Sequence, residues 1–193
     1  MFRNSFINFV LDLVKIVVIS LAIIIPVRYF LIQPFYVQGS SMEPNFHNSE
    51  YLIVDEISYD FHDPKRGDVV VFRYPMNPQE YFIKRVIGLP GEKLKFRQGD
   101  IYIYNDIYEH GVKLKEEYLS DNLETYYSGE KEKVIQLEED EYYVLGDNRN
   151  SSRDSRTFGP INKSMIVGRA MFRGWPLDRM EFFQTPTYQF QNN

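Results

Sequence analysis

Tyr81-Phe82-Ile83-Lys84-Arg85-Val86-Ile87-Gly88-Leu89-Pro90-Gly91 is a run of aromatic and β-branched residues that ends on a Pro-Gly turn signal, the composition of a strand. Period-two alternation puts Phe82, Lys84 and Val86 on one face and Tyr81, Ile83, Arg85 and Ile87 on the other. Stretches of the same kind recur at Tyr51 to Asp55, Asp68 to Arg73, Leu94 to Arg97, Ile101 to Tyr104, Val134 to Leu137, Tyr142 to Leu145 and Ile166 to Phe172. Turn residues separate them at Pro64, Gly67, Pro75, Pro78, Gly99-Asp100, Asn105-Asp106 and Gly146-Asp147. No amphipathic helix of ordinary length follows residue 33. The pattern predicts a mainly β chain of antiparallel strands, with close turns at Gln98-Gly99 and Asn105-Asp106. Residues 109–133 are charged and poor in aliphatics, which predicts a surface excursion.

Ahead of the strands lies the one strongly apolar segment, residues 10–32, with an uncharged core from Ile16 to Val27 bounded by Lys15 and Arg28. That core is too short for a bilayer of ~30 Å, which takes about 20 helical residues. The full stretch reaches that length if Lys15 and Arg28 extend their charges to the interfaces and Asp12 partners Lys15. A transmembrane anchor is predicted. A cleaved signal peptide needs a cleavage site close behind the apolar core, whereas Arg28, Tyr29, Phe30, Pro34, Phe35 and Tyr36 stand before Gly39-Ser40-Ser41. A buried helix is the other alternative. Residues 1–9 are read as a short tail and residues 181–193, polar towards Asn193, as a loose one.

The whole chain of 193 residues holds 22 Lys+Arg and 27 Asp+Glu. Residues 1–32 contain three of the basic side chains and one of the acidic, so the remainder carries a net charge of −7. So acidic a surface argues against nucleic acid as a partner. With no cysteine, disulfides and thiolate catalysis are excluded.

Between the apolar segment and the first strand stands Gly39-Ser40-Ser41-Met42-Glu43-Pro44, a bend that presents a hydroxyl instead of packing it. Ser41 is the candidate nucleophile, and a serine needs a base within hydrogen-bond reach. His47, His62 and His110 lie in polar, turn-like surroundings. Lys84 lies in an apolar strand, where loss of water disfavours the ammonium. To act near neutral pH its pKa must fall from ~10.4 to about 7 or 8, which takes roughly 3 to 5 kcal/mol. Spacing alone leaves Lys84 open between a dry base and an ordinary strand lysine on an exposed face, with Arg85 beside it. Ser41 lies nine residues beyond Ile32, at most ~30 Å of extended chain, so the hydroxyl works close to the end of the apolar segment.

Taken together, Ser41-Met42-x-Pro44, Gly67-Asp68-Val69-Val70-Val71-Phe72, the Lys84 stretch, Gly146-Asp147-Asn148-Arg149-Asn150-Ser151-Ser152-Arg153-Asp154-Ser155-Arg156 and Gly159-Pro160 run in the order found in the type I signal peptidases and span most of residues 34–179. The chain resembles that family, membrane-bound Ser/Lys proteases that remove signal peptides from secreted proteins. The resemblance implies a catalytic β domain over 33–180, formed of antiparallel sheets in a partly open barrel, behind a single anchor at 10–32. It implies a cytoplasmic N-terminus with the β domain outside, a monomer, no metal and no cofactor. Its partners would be the lipid bilayer and preprotein signal peptides with small residues before the cut.

Residue by residue, the resemblance makes Ser41 the nucleophile and Lys84 the base, with Ser152 hydrogen-bonding and orienting the lysine. It makes Asp147, Asp154 and Arg156 holders of the nearby loop, with an Asp154–Arg156 ion pair, and Phe35, Val37, Met42 and Ile83 the walls of the substrate pockets. Some relatives place a serine two residues before the nucleophile. Here that position is Gly39, so the oxyanion falls to backbone N–H groups, that of Ser41 included. Similarly, Phe82 stands where many relatives have tyrosine. Without the family, 146–156 is a polar loop whose Asp147, Asn148, Asn150 and Asp154 suggest a cation site, though three arginines crowd it and the calcium-loop spacing is missing. A self-cleaving repressor shares Ser/Lys chemistry but needs a DNA-binding domain where the apolar helix stands. A tethered β domain that only binds a partner has no need of both dyad residues.

Overall fold

The computed structural model of the chain describes residues 2–30, 33–120, 123–127, 130, 132–186 and 188. Leu31 and Ile32, the end of the expected anchor, lie outside the described residues, as do parts of the expected excursion and tail. Helix α1 spans Phe2–Phe30, so the expected N-terminal tail is helical from its second residue. At 1.5 Å per residue its 29 residues extend about 43 Å. Its stretch Ile7–Ile24 is long and apolar enough to cross a bilayer, and none of it is buried against the rest of the chain.

Beyond α1 the elements are β1 (Gln33–Tyr36), β2 (Tyr51–Asp55), α2 (Ser58–Phe61), β3 (Val69–Tyr74), β4 (Asn77–Gly88), β5 (Lys93–Arg97), β6 (Asp100–Tyr104), β7 (Val112–Lys113), β8 (Glu132–Gln136), β9 (Glu141–Leu145), α3 (Ser155–Phe158), β10 (Ile161–Asn162), β11 (Ile166–Trp175) and β12 (Glu181–Phe182). The fold is mostly β, in two antiparallel sheets. The larger follows the order β1-β2-β11-β3-β4-β9-β10, with β12 also on β11; the smaller follows β7-β6-β5-β8. The large sheet is open: among the described residues no ladder joins β1 to β10.

Burial follows the sequence pattern. The short sheet turns Leu94, Phe96, Ile101 and Ile103 inward against Ile87, Tyr143 and Leu145 of the large one, as its alternating strands require. Central strands β3 and β9 are buried on both faces, hence Val69 to Phe72 and Tyr142 to Leu145 read as unbroken apolar runs. A second cluster, with Val37, Met42, Phe46, Leu52, Val69 and Ala170, lies under the Ser41 bend.

Of the two expected close turns the first is present, and three other expectations are corrected. The Gln98-Gly99 turn joins β5 to β6 with φ of 53° and 84°, the left-handed pair that a two-residue hairpin of matching twist demands. Asn105-Asp106, in contrast, opens a longer loop: the Asn105 side chain accepts the N–H groups of Ile107 and Tyr108 at 3.0 and 2.9 Å. The excursion at 109–133 is also partly inside, because β7 pairs with β6 and Val112, Leu114 and Thr125 are buried. Finally, the segment from 181 onward is not wholly loose. Strand β12 pairs with β11, Thr185 donates its hydroxyl to Asp68, and Pro186 and Tyr188 fill the space over Gly67.

Candidate active site

The Ser41 bend is the tip of a loop from Val37 to Glu50 that closes on itself through Val37 N–H to Glu50 O and Ser49 N–H to Val37 O, both 2.9 Å. Glu50, buried at the base, accepts Arg173 Nε at 2.8 Å and Arg179 Nη1 at 2.6 Å. At the tip, Glu43 N–H reaches Ser40 O at 3.1 Å, which turns the backbone tightly at Ser41. Met42 points away from the surface into the cluster beneath and is 1% exposed. It is core, and not the pocket wall that the family resemblance implied.

Strand β4 brings up the amine. Lys84 is 3% exposed, and its Nζ donates to Ser41 Oγ and to Ile83 O, each at 2.7 Å. Phe82 faces it with a ring centroid 5.3 Å from Nζ. That ring stacks on Tyr74 at 4.3 Å, so it works as an apolar cover, which accounts for a phenylalanine at this position. Burial lowers the Lys84 pKa from 10.5 to about 8, against the opposing pull of the Asp154 and Asp147 carboxylates. A nearly dry amine in contact with a hydroxyl can take its proton, whereas a solvated lysine would stay charged at neutral pH.

The loop after β9 closes the other side. Asn148 donates its N–H to Ser41 O and its side-chain Nδ2 to Ser40 O, both at 3.1 Å. Gly146 packs so closely that a Cβ there would stand 2.1 Å from Ser152 Oγ and 2.4 Å from Ser41 O, so no larger residue fits. Ser152 is therefore at the site, but its Oγ is buried and makes no hydrogen bond among the described residues. The expected bond from Ser152 to the lysine is absent among the described residues, where Lys84 Nζ contacts Ser41 Oγ and Ile83 O instead.

The loop's carboxylates face arginines. Asp147 receives a two-pronged contact from Arg85, Nε–Oδ1 2.8 Å and Nη2–Oδ2 2.6 Å, plus Asn45 Nδ2 at 2.8 Å. Asp154 pairs with Arg156 through two contacts of 2.8 Å and accepts Gly146 N–H at 3.1 Å. Arg149, 3% exposed, joins Glu116 and Thr125 and donates Nε to Gly146 O at 3.0 Å. With both carboxylates committed to guanidinium groups, the loop offers a cation little. Asn45 was not singled out by sequence reading, and Arg85, Arg149 and Asn148 were read there without these roles, because the partners that define them, Asp147, Glu116 and the Ser40–Ser41 backbone, lie 33 to 108 residues away.

A cleft of about 650 Å³ opens over the serine and lysine, lined by Phe35, Val37 and Ile83 together with Tyr36, Leu52, Val71, Tyr81, Phe82, Ser151 and Arg153. The Phe35 and Tyr81 rings meet edge to face at 5.6 Å. Gly39, also on the rim, has φ +89°, a backbone in which a serine would be strained, and its N–H is donated to Asn48 Oδ1 at 2.8 Å. The Ser41 N–H meets no acceptor among the described residues.

Comparison with known proteins places this geometry in context. The family model "Signal peptidase, peptidase S26" matches residues 10–175. A probable signal peptidase I-2 of Synechocystis sp. is 36% identical over 175 residues, 88% of this chain and 75% of that protein. The signal peptidase I P of Bacillus subtilis subsp. natto is 36% identical over 180 residues, 89% of this chain and 92% of its own length. A signal peptidase IB of Staphylococcus aureus is 32% identical over 183 residues. Among solved structures, a signal peptidase I from Enterococcus faecalis matches with a TM-score of 0.46 and 32% identity, over 57% of this chain and 98% of that one. On the length of the family match and the identity of these relatives, the chain belongs to the signal peptidase family, peptidase S26, of serine endopeptidases.

Proposed function

We propose that the chain removes signal peptides from exported preproteins while anchored in a membrane by α1, with Ser41 as nucleophile and Lys84 as general base. The observation that carries the reading is the 2.7 Å contact between Lys84 Nζ and Ser41 Oγ inside an apolar enclosure. Neutral Lys84 takes the Ser41 proton as Oγ attacks the scissile carbonyl, and the developing oxyanion meets the Ser41 N–H. Collapse expels the amine of the mature protein, which leaves with the proton that Lys84 returns. A water deprotonated by Lys84 then attacks the ester, and release of the signal peptide restores Ser41.

Phe35, Val37 and Ile83 form shallow apolar walls that suit small side chains before the cut, and the part of β4 ahead of Arg85, which β9 leaves uncovered, can pair with an extended substrate. Ser41 follows the end of α1 at Phe30 by 11 residues, no more than ~40 Å of chain, which suits a cut site just outside a bilayer. The reading places the N-terminus in the cytoplasm, the β domain outside and a single copy as the working unit. Asp147, Asp154 and Arg156 hold the loop that backs the dyad, and Ser152 stands against Gly146, next to the Ser41 carbonyl. The test is cleavage of a preprotein in detergent by the wild type, Ser41→Ala and Lys84→Ala. Loss of turnover in both variants is expected, and full activity in either one removes the dyad.

A further inference from the structure

Two consecutive peptide planes flank the Ser41 α-carbon, and one residue holds both. The backbone N–H of Asn148 is donated to Ser41 O, and its Nδ2 to Ser40 O, each at 3.1 Å. The carbonyl of Ser40 belongs to the same planar unit as the N–H of Ser41. In a trans peptide those two groups point in opposite directions. Whatever fixes the Ser40 oxygen therefore fixes where the Ser41 hydrogen aims. Glu43 N–H also reaches that oxygen, but from within the same turn, so it cannot tie the turn to the lysine side of the cleft. Asn148 can, because its loop abuts Ser41 and Ser152 at Gly146.

Gly39 makes the tether matter. With no Cβ and φ +89°, it leaves the entry to the bend with more conformational freedom than any other residue would. It also supplies no side-chain donor, and its own N–H is taken by Asn48. No side chain at position 39 therefore fixes the direction of the Ser41 N–H, and the ties on the Ser40 carbonyl have to do so.

We propose that Asn148 is a positioning residue for the oxyanion site: its side chain holds the Ser40 carbonyl so that the Ser41 N–H faces the carbonyl under attack. The inference rests on the Ser41/Lys84 reading above. It assigns to Asn148 an effect on the tetrahedral state that substrate binding does not share, since the N–H must be aimed at the oxygen only when charge develops there.

The test uses the full chain in detergent, with Asn148→Asp and Asn148→Ala beside the wild type and Ser41→Ala. Asn148→Asp keeps the backbone tie to Ser41 O but sets a carboxylate oxygen against the Ser40 carbonyl; Asn148→Ala only removes the donor. Both should lower kcat at least about tenfold, towards the roughly hundredfold that loss of one oxyanion donor costs, with KM within about twofold of wild type. The affinity for a peptide boronate, which bonds to the serine oxygen as a tetrahedral adduct, should fall by the same factor as kcat when referred to the folded fraction. The pH at which the rate is half-maximal should stay where it is. Wild-type kcat and boronate affinity in both variants overturn the proposal, and so does a loss confined to KM or accompanied by a moved pH midpoint. Retained cleavage by Ser41→Ala would instead sink the nucleophile assignment itself, a result the Asn148 variants cannot mimic.

Discussion

Arg85 and Asp147 lie edge to edge, Nε–Oδ1 2.8 Å and Nη2–Oδ2 2.6 Å, with the carboxylate fully buried. The bridge joins the residue after Lys84 to the loop that carries Asn148 and Ser152, so it sets the distance between the two halves of the site. Arg85 also donates to Gly67 O at 2.9 Å and lies over the Tyr118 ring at 3.9 Å, which leaves the guanidinium little freedom to find another partner.

Removing one partner of such a pair strands the other. Asp147→Ala is expected to destabilise the fold by about 3–5 kcal/mol, more than an exposed ion pair such as Lys163–Asp63, for which under about 1 kcal/mol is expected. Urea unfolding followed through Trp175, the one tryptophan of the chain, measures both. Equal effects from Asp147→Ala and Asp63→Ala would remove the bridge from any account of how the site is held.

The pH dependence of turnover follows from the amine. With the Lys84 pKa brought down by burial from 10.5 to about 8, the base is about one-tenth neutral at pH 7 and mostly neutral at pH 9. The kcat/KM should rise about tenfold over that interval and level off above it. A continued rise to pH 10 and beyond would mean that water reaches the lysine. Phe82→Ala, which opens the cover over Nζ, should move the midpoint upward.

Stability should respond to the same group with a definite sign. Below about pH 8 both folded and unfolded chains carry the ammonium, and the folded state bears the full cost of burying it. Between pH 8 and 10.5 the folded chain is neutral while the unfolded chain still binds the proton, so Lys84 makes stability rise with pH across that window. A fall from 10.5 to about 8 corresponds to about 3 kcal/mol. Lys84→Met removes this cost and also two hydrogen bonds of about 1 kcal/mol each. The variant should be inactive yet about 1 kcal/mol more stable than wild type at pH 7, and the advantage should vanish by pH 10. Denaturation midpoints at the two pH values decide it; a destabilised variant at pH 7 would show that the buried amine costs the fold nothing.

Much of this architecture was readable in advance, for reasons that differ by element. Strands such as Tyr51 to Asp55 and Ile101 to Tyr104 alternate cleanly because one face is buried, so their bounds fell within a residue of those in the structure. The short strands β1, β7, β10 and β12 went unread: two to four residues give no period, and they form because a longer neighbour offers open hydrogen-bonding groups. Ser41 and Lys84 stood out through chemistry and family pattern. Met42 misled because an apolar residue beside a nucleophile looks the same in sequence whether it faces the cleft or the core. Ser152 packs against Gly146 near the Ser41 backbone, but its side chain does not make the bond expected of it. The roles of Arg85 and Asn148 were not legible, since they lie in contacts across 62 and 107 residues of chain.

Ile83 offers a test of the cleft itself. Its carbonyl holds the lysine through the backbone, while its side chain lines the apolar wall with Phe35 and Val37. The backbone contact survives truncation, so Ile83→Ala can widen the wall without disarming the base. Deleting three carbons from one wall should let the cleft accept a valine or leucine before the cut better than the wild type does. Pocket discrimination per methylene is about 1–3 kcal/mol, so the ratio of kcat/KM for leucine over alanine at that position should rise at least about tenfold. The pH midpoint should hold near 8. Competition between two preproteins that differ only at that side chain measures the ratio directly, and an unchanged ratio with full turnover would place the specificity pocket elsewhere in the cleft.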